Sequence, residues 1–401
     1  MLIVQKYGGT SVGGLDRIEN VAKRVAKSKR DGNSLVVVVS AMSGETNKLV
    51  EYANHFSKNP PKSEMDMLLS SGERVTAALL AIALQEMGID ATAMTGRQAG
   101  IKTDCNHTFA RIESIDTTAM KSALGEGKVV VVAGFQGISQ KGQVTTLGRG
   151  GSDLSAVAIA GALKANACEI YSDVDGIYTT DPRIEPKARK MDYISYDEML
   201  ELASLGAKVL QNRSVELAKK LNVRIVAKSS FSNASGTIIE KEIKEMEAVL
   251  VSGIALDRNQ ARVTVREVSD RPGIAAEIFT LLANEQINID MIIQNASTDG
   301  TTNLGFTVPA SEVERAKEVI SAFNHDIGGM DFDKNVCKVS VVGVGMKSHS
   351  GVAAKAFSAM ASSNINIEMI STSEIKVSMV IDEKYGELAV RTLHDTYELD
   401  K

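Results

Sequence analysis

Residues 262–297 and 338–373 are two copies of one unit, and this repeat constrains the fold of the 401-residue chain more than any other feature. Val263 and Val265 align with Val339 and Val341. After a two-residue insertion in the second copy, Gly273, Ala275, Ala276, Phe279, Ala283, Ile287, Asn288, Ile289 and Met291 align with Gly351, Ala353, Ala354, Phe357, Ala361, Ile365, Asn366, Ile367 and Met369. Each copy reads as strand, glycine turn, amphipathic helix, strand, a small α+β module that has to pack against something to bury its sheet face. Two such modules after a long first region predict a sensor attached to an enzyme.

Counting strands predicts how the modules connect. The first copy continues through a strand at 302–308, a helix at 311–323 and a last strand near 330–337. The second ends on a helix at 383–398 and is one strand short. Ala248–Leu256, just before the first copy, is predicted to pair with the second and so to nest one module inside the other. The expected domains are 1–241, then 257–337, then 248–256 together with 338–401. The first boundary falls in the charged stretch Glu240–Glu247, where few contacts should cross.

Upstream, short Val- and Ile-rich runs at 2–7, 35–40, 91–95, 128–134, 168–172 and 223–227 are mostly separated by helical patterns. That alternation predicts a largely parallel sheet with helices on both faces. The clearest helical periodicities span Asp16–Lys29, Ser63–Met87, Asp153–Lys164 and Ala207–Leu221, with Asn59, Pro60 and Pro61 as a break. A length of 401 residues implies two or three domains, because single cores stop growing at roughly 250–300 residues. The net charge of -5 and the absence of a basic stripe argue against nucleic-acid partners. No apolar run approaches a membrane span and the N-terminal residues lead straight into a strand, so a cytoplasmic location is expected. Cys105, Cys168 and Cys337 are too scattered for a disulfide frame or a cysteine-based metal site and are read as structural.

Three clusters carry the chemistry. Leu2–Ser11 runs from a strand into a Gly8-Gly9 turn with Lys6 just before it, so backbone N–H groups and an ammonium can meet a phosphate. It is not a Walker loop, in which the lysine follows the glycines. Alone, such a turn reads as a plain strand-to-helix connection. The second cluster, Thr146-Leu-Gly-Arg-Gly-Gly-Ser-Asp153, outweighs that reading. It gathers Arg149, Gly150, Gly151, Ser152 and Asp153 at a helix N-terminus, where free N–H groups favour an anion. Ser152 or Asp153 also suits a helix cap, but a cap needs one residue and no arginine beside two glycines. The third, Tyr171–Arg183, is turn-rich and offers an aromatic ring and an arginine to a nucleotide, although alone it reads as an acidic surface loop.

Together with Ser40-Ala-Met-Ser-Gly-Glu-Thr-Asn47, Ser71-Gly-Glu-Arg74 and Gly206-Ala-Lys-Val-Leu210, these clusters resemble the aspartate kinase family over nearly the whole chain. The resemblance implies an amino-acid-kinase fold, an open α/β sandwich similar to carbamate kinase, followed by two ferredoxin-like ACT domains. It implies ATP-dependent phosphorylation of the side-chain carboxylate of L-aspartate, with ATP and Mg2+ as cofactors and no metal ligand firmly assigned in the protein. By motif match, Lys6 and Asp153 are catalytic, and Thr46, Glu73, Arg149, Gly150, Gly151 and Ser152 bind aspartate. Arg149 then takes the α-carboxylate and Glu73 the ammonium. Without the resemblance, Glu73 and Arg74 read as a solvated helix face and Lys208 as a lysine snorkelling from a helix start. Lys6, Gly8, Gly9, Ser40, Ser172, Asp173, Tyr178, Arg183 and Lys208 are assigned to ATP. Ser172 stands where some relatives have threonine and keeps the hydroxyl.

The resemblance also implies feedback inhibition by lysine, threonine or both, and self-association through the ACT domains into at least a dimer. By position, the effector residues are Asp270, Asn288, Ile289, Asp290 and Gln294, with Ser373 and Glu374. Asn288 and Asp290 alternatively only start a strand. The second copy replaces the Asp270-Arg-Pro-Gly273 turn by Gly343, Gly345 and Met346–Ser350, so unequal binding by the two copies is expected. Competing readings are a glutamate, acetylglutamate or uridylate kinase of the same fold, or an amino-acid sensor without activity. The paired modules and the Ser-Gly-Glu-Arg run disfavour the first group. Retention of Lys6, Arg149 and Asp153 disfavours the second.

Overall fold

In the computed structural model, which describes residues 1–204, 209–241, 250–294, 300–321, 327–347 and 351–401, the chain forms two units. Met1–Ile177, Lys190–Ala203 and 208–244 make up the first; Tyr178–Arg189, Ser204–Ala207 and 245–401 make up the second.

The first unit contains strands β1 (Leu2–Tyr7), β2 (Ser34–Val39), β3 (Ala91–Met94), β4 (Ile101–Thr103), β5 (Ile112–Ile115), β6 (Val129–Ala133), β7 (Gln136–Ser139), β8 (Val144–Thr146), β9 (Ala167–Ser172), β10 (Tyr193–Ser195), β11 (Ile225–Ser229) and β12 (Thr237–Glu240). Eight of them form one sheet in the order β10-β12-β11-β9-β1-β2-β6-β3, with every pair parallel except β11–β12. The Val-rich runs are its centre, and they read as continuous hydrophobics because both faces are covered. A second sheet, β5-β4-β7-β8, has strands of only three or four residues.

Helices α1 (Leu15–Arg30), α2 (Glu45–Phe56), α3 (Lys62–Leu69), α4 (Ser71–Glu86), α5 (Thr118–Gly125), α6 (Gly151–Leu163), α7 (Tyr196–Ser204) and α8 (Asn212–Leu221) complete this unit. In α1, Ile18, Val21, Ala22, Val25 and Ala26 are buried, the stripe expected of a helix lying on a sheet. They share a core with Ala77, Leu80, Ala81 and Leu84 of α4 and with Ile3, Tyr7, Leu35, Val37 and Val39. Strand alternation sends Lys6 to the opposite face, where α6 packs on β1, β2 and β9.

The expectation that no apolar run approaches a membrane span does not hold for one stretch. The helical run Lys62–Glu86 is long and apolar enough, by length and composition, to cross a membrane. One face of it, with Ala77, Leu80, Ala81 and Leu84, instead packs in the sheet core, and the run carries Asp66, Glu73 and Arg74.

The second unit holds β13 (Gly253–Ser269), β14 (Ile292–Gln294), β15 (Thr301–Val308), β16 (Gly329–Val342), β17 (Met369–Thr372) and β18 (Lys376–Asp382) in one antiparallel sheet, ordered β14-β15-β13-β16-β18-β17. Helices α9 (Ile274–Asn284), α10 (Val313–Ser321), α11 (Val352–Ser362) and α12 (Gly386–Thr396) belong to it. Gly253–Asp257 of β13 pairs with Lys338–Val342, and Arg262–Arg266 pairs with Gly329–Asp333. Both long strands therefore run through both modules. Two hydrophobic cores result, one around Val339, Met360 and Leu393, the other around Val263, Leu282 and Phe306.

Candidate active site

Parallel β1, β2 and β9 end at one edge of the large sheet, the edge where open α/β sheets bind ligands. Lys6 lies near the end of β1, and its Nζ is 2.6 Å from Asp153 Oδ1 in the first turn of α6. Both side chains are about nine-tenths buried, with exposures of 11% and 9%. Gly150, at φ 72°, caps α6 in the left-handed region, where a Cβ would lie 1.9 Å from Gln211 Cγ. Glycine is required there for both conformation and space.

A cavity of about 300 Å³ opens at this point. Its wall contains Lys6, Gly9, Ser40, Thr46, Glu73, Arg149, Gly150, Gly151, Ser152 and Asp153, so four separate sequence motifs converge on it. Gly9 brings the main chain close to the next segment, since a Cβ would sit 3.1 Å from Ala41 O. Gly8 N–H donates to Tyr171 O at 3.2 Å, tying the glycine turn to the end of β9.

Glu73 and Arg149 give the cavity opposite charges. Glu73 is buried in α4; its Oε1 accepts the Ala41 N–H at 3.1 Å while Oε2 has no protein partner. Burial pushes its carboxyl up to about 7, against a partial lowering by the Ala41 N–H. An ammonium at Oε2 would satisfy the orphaned acceptor and restore the charge. Arg149 also lines the cavity, is exposed, and makes no ion pair among the described residues.

The remaining nucleotide candidates are less gathered. Ser172 ends β9 and Asp173 follows it, next to the Gly8 turn. Tyr178 and Arg183 belong to the second unit, and the Arg183 guanidinium bonds both Asp181 oxygens, at 3.0 and 2.7 Å. Lys208 lies outside the described residues, as does most of the motif 206–210. Met42, Ser43, Gly44 and Phe135 also line the cavity but were not singled out in the sequence. The first three sit inside a quoted motif. Phe135 carries no motif signal and stands out only by its φ of 68°.

In the second unit, Asp270 is on the exposed turn before Gly273, the left-handed cap of α9. Asn288, Ile289 and Asp290 lead into β14, which ends at Gln294; Ser373 and Glu374 form the β17–β18 turn. The Asp290 carboxylate is already bonded to the buried ammonium of Lys338. Residues 348–350 of the second copy's divergent turn are outside the described residues.

The profile of the Amino acid kinase family matches residues 1–227, and an ACT domain profile matches 263–322 and 339–397. Over all of both sequences the chain is 59% identical to the aspartokinase of Helicobacter pylori strain J99. It belongs to the aspartate kinase family. An aspartate kinase of Pseudomonas putida is 52% identical over the whole chain and 98% of its own length. Among solved structures, E. coli aspartokinase III in complex with aspartate and ADP superposes with a TM-score of 0.81 at 25% identity, covering 99% of each chain. The same enzyme in complex with lysine and aspartate gives 0.80 at 26% identity, again over 99% of each chain.

Proposed function

We propose that the chain transfers the γ-phosphoryl group of ATP to the side-chain carboxylate of L-aspartate, giving 4-phospho-L-aspartate, under feedback control by an amino acid at its ACT modules. The observation that carries this reading is the charge layout of one cavity: the buried Lys6–Asp153 pair at a helix N-terminus, with Glu73 and Arg149 on opposite charges of the wall. Aspartate supplies a matching ammonium and α-carboxylate, and the complex of E. coli aspartokinase III with aspartate and ADP supports both ligands.

The nucleophile needs no general base, because a carboxylate of pKa about 3.9 is ionised at neutral pH. The remaining obstacle is repulsion between anions, so catalysis rests on positioning and charge neutralisation. Lys6 stabilises the transferring phosphoryl group, with Gly8 and Gly9 allowing close backbone approach. Asp153 holds the Lys6 ammonium in place. Arg149 pairs with the α-carboxylate through its planar fork, Glu73 takes the ammonium, and Thr46 and Ser152 add hydroxyl contacts. Gly150 and Gly151 open the helix N-terminus to the substrate, and Ser40, Ser172, Asp173, Tyr178, Arg183 and Lys208 contact the nucleotide. Mg2+ would be held mainly by nucleotide phosphates and water, with Asp153 as the nearest candidate carboxylate, and would neutralise phosphate charge.

The catalytic region is assigned to 1–241, the first ACT module to 257–337 and the second to 248–256 with 338–401. The pairing of Gly253–Asp257 with Lys338–Val342 supports this division. Lysine, threonine or both bind around Asp270, Asn288–Asp290 and Gln294, with Ser373 and Glu374, in a cytoplasmic enzyme. Self-association uses the open edges β14 and β17, which expose the repeat-related Ile292 and Ile370.

A coupled ADP-release assay with aspartate, glutamate and N-acetylglutamate tests the activity. Turnover is expected with aspartate alone, and lowered by lysine or threonine added singly or together. Turnover on a different acceptor, or on none, sinks the assignment. Insensitivity to both amino acids removes the feedback reading.

A further inference from the structure

Asp66 is a fully buried carboxylate outside the cavity, and its partners come from two distant stretches of the chain. It accepts the Thr108 N–H at 3.0 and 3.1 Å, His107 Nδ1 lies 2.7 Å from Oδ2, and the Thr146 hydroxyl donates to Oδ1. These bonds join three pieces of chain: α3, which carries Asp66, the loop 104–109, and the end of β8. α3 is separated only by Ser70 from α4, which carries Glu73. Three residues after Thr146 comes Arg149.

The loop so held presses on the main chain before Arg149. Thr108 has φ 68°, a left-handed conformation that a β-branched residue rarely adopts. Its neighbour Phe109 covers Gly148, where a Cβ would meet the ring at 2.7 Å and Thr108 O at 3.3 Å. From the other side Arg213 stacks on Phe109 at 4.5 Å and donates to Ala110 O at 3.0 Å and to Leu147 O. Leu147 and Gly148 are thereby clamped, while Arg149 itself stays exposed and unpaired among the described residues. A strained residue held by a buried carboxylate beside a ligand cavity is the kind of feature that persists when it serves a site.

We propose that Asp66 is a positioning residue for aspartate recognition: through Thr108 and Thr146 it fixes the main chain that aims Arg149, and it registers that loop against the helix bearing Glu73. This inference rests on the reading of Arg149 and Glu73 as the pair that grips the amino acid. It predicts a selective loss. Asp66→Asn keeps the shape but weakens charge-assisted bonds to the Thr108 N–H and the Thr146 hydroxyl, so KM for aspartate should rise on the order of tenfold while KM for ATP stays within twofold.

The experiment measures both KM values, kcat and thermal midpoint for wild type, Asp66→Asn, Thr146→Val and Asp66→Asn combined with Thr108→Gly. Thr146→Val should shift KM for aspartate in the same direction. Relieving the left-handed strain with glycine should recover part of the Asp66→Asn loss. The proposal is overturned if both KM values move together, if neither moves in a folded variant, or if Thr108→Gly gives no recovery. Should Asp66→Asn fail to fold, the aspartate-selective shift in Thr146→Val decides. Wild-type protein that does not use aspartate would refute the parent reading instead, independently of the variants.

Discussion

Glu73 is the residue whose environment most clearly bears on function. Its carboxyl is raised from 4.5 to about 7 by burial, so the folded chain binds a proton that the unfolded chain has released between those two values. Stability contributed by the protonated form is full below pH 4.5, is lost as pH rises toward 7, and changes no further above it. The span corresponds to about 3 kcal/mol at most. Glu73→Gln should flatten that part of the stability curve, measured by denaturant midpoint against pH. In the working enzyme the ionised form is the one that pairs an ammonium, so KM for aspartate is expected to rise as pH falls below about 7. In Glu73→Gln it should be high and flat over the same range; a parallel pH profile in both proteins would exclude Glu73 as the ammonium partner. Arg149 and Asp153 were legible as candidates because an arginine beside two glycines at a helix start exceeds what a cap needs. Lys6 and Glu73 are candidates only through the combined motifs of the family resemblance. Asp66 and Phe135 were not legible, because their work lies in contacts 40 to 80 residues away or in a backbone angle that no motif encodes.

At the scale of elements, the site depends on the start of α6. Gly150 has φ 72° and no room for a Cβ against Gln211, whereas Gly32, at φ 87°, has open space around it. Alanine at Gly32 meets only the left-handed penalty, about 1–2 kcal/mol, and should leave kcat/KM unchanged. Alanine at Gly150 adds a clash that displaces Gly151, Ser152 and Asp153, so it should lower the thermal midpoint further and reduce kcat/KM about a hundredfold, on the order of the loss of one electrostatic contact. Equal effects of the two substitutions would show that the cap is merely structural. The buried Val-rich strands were legible because few other arrangements accept such runs. The sheet β5-β4-β7-β8 was missed, since three- and four-residue strands such as Ile101–Thr103 show too few alternations to separate from loop. Asp257, Arg258 and Asn259 interrupt the apolar pattern, so the sequence predicts two strands where β13 continues through register shifts.

For the whole molecule, the repeat has an electrostatic consequence that sequence alone did not reveal. Under the repeat alignment Arg262 corresponds to Lys338, and Asp290 to Glu368. Arg262 of the first copy bonds Glu368 of the second at 2.6 Å, and Lys338 of the second bonds Asp290 of the first. The two ion pairs are therefore reciprocal and cross between copies, flanking a small apolar cluster of Met291, Val336, Met369 and Val380. Within the second pair the partners differ in burial: Lys338 is 3% exposed and Asp290 38%. Removing the exposed partner strands a buried ammonium, so Asp290→Ala should destabilise the second unit by about 3–5 kcal/mol. Lys338→Met removes the buried charge and leaves a carboxylate that water reaches, so its cost should stay within about 1 kcal/mol. Guanidinium unfolding of full-length protein, followed by a probe in the second unit, would rank the two variants. If Lys338→Met proved the more damaging, the pair would act as a net stabiliser in its own right. The predicted order instead means that Asp290 serves to neutralise Lys338, and an effector ammonium reaching Asp290 would have to compete with that internal partner and loosen one of these two reciprocal ion pairs.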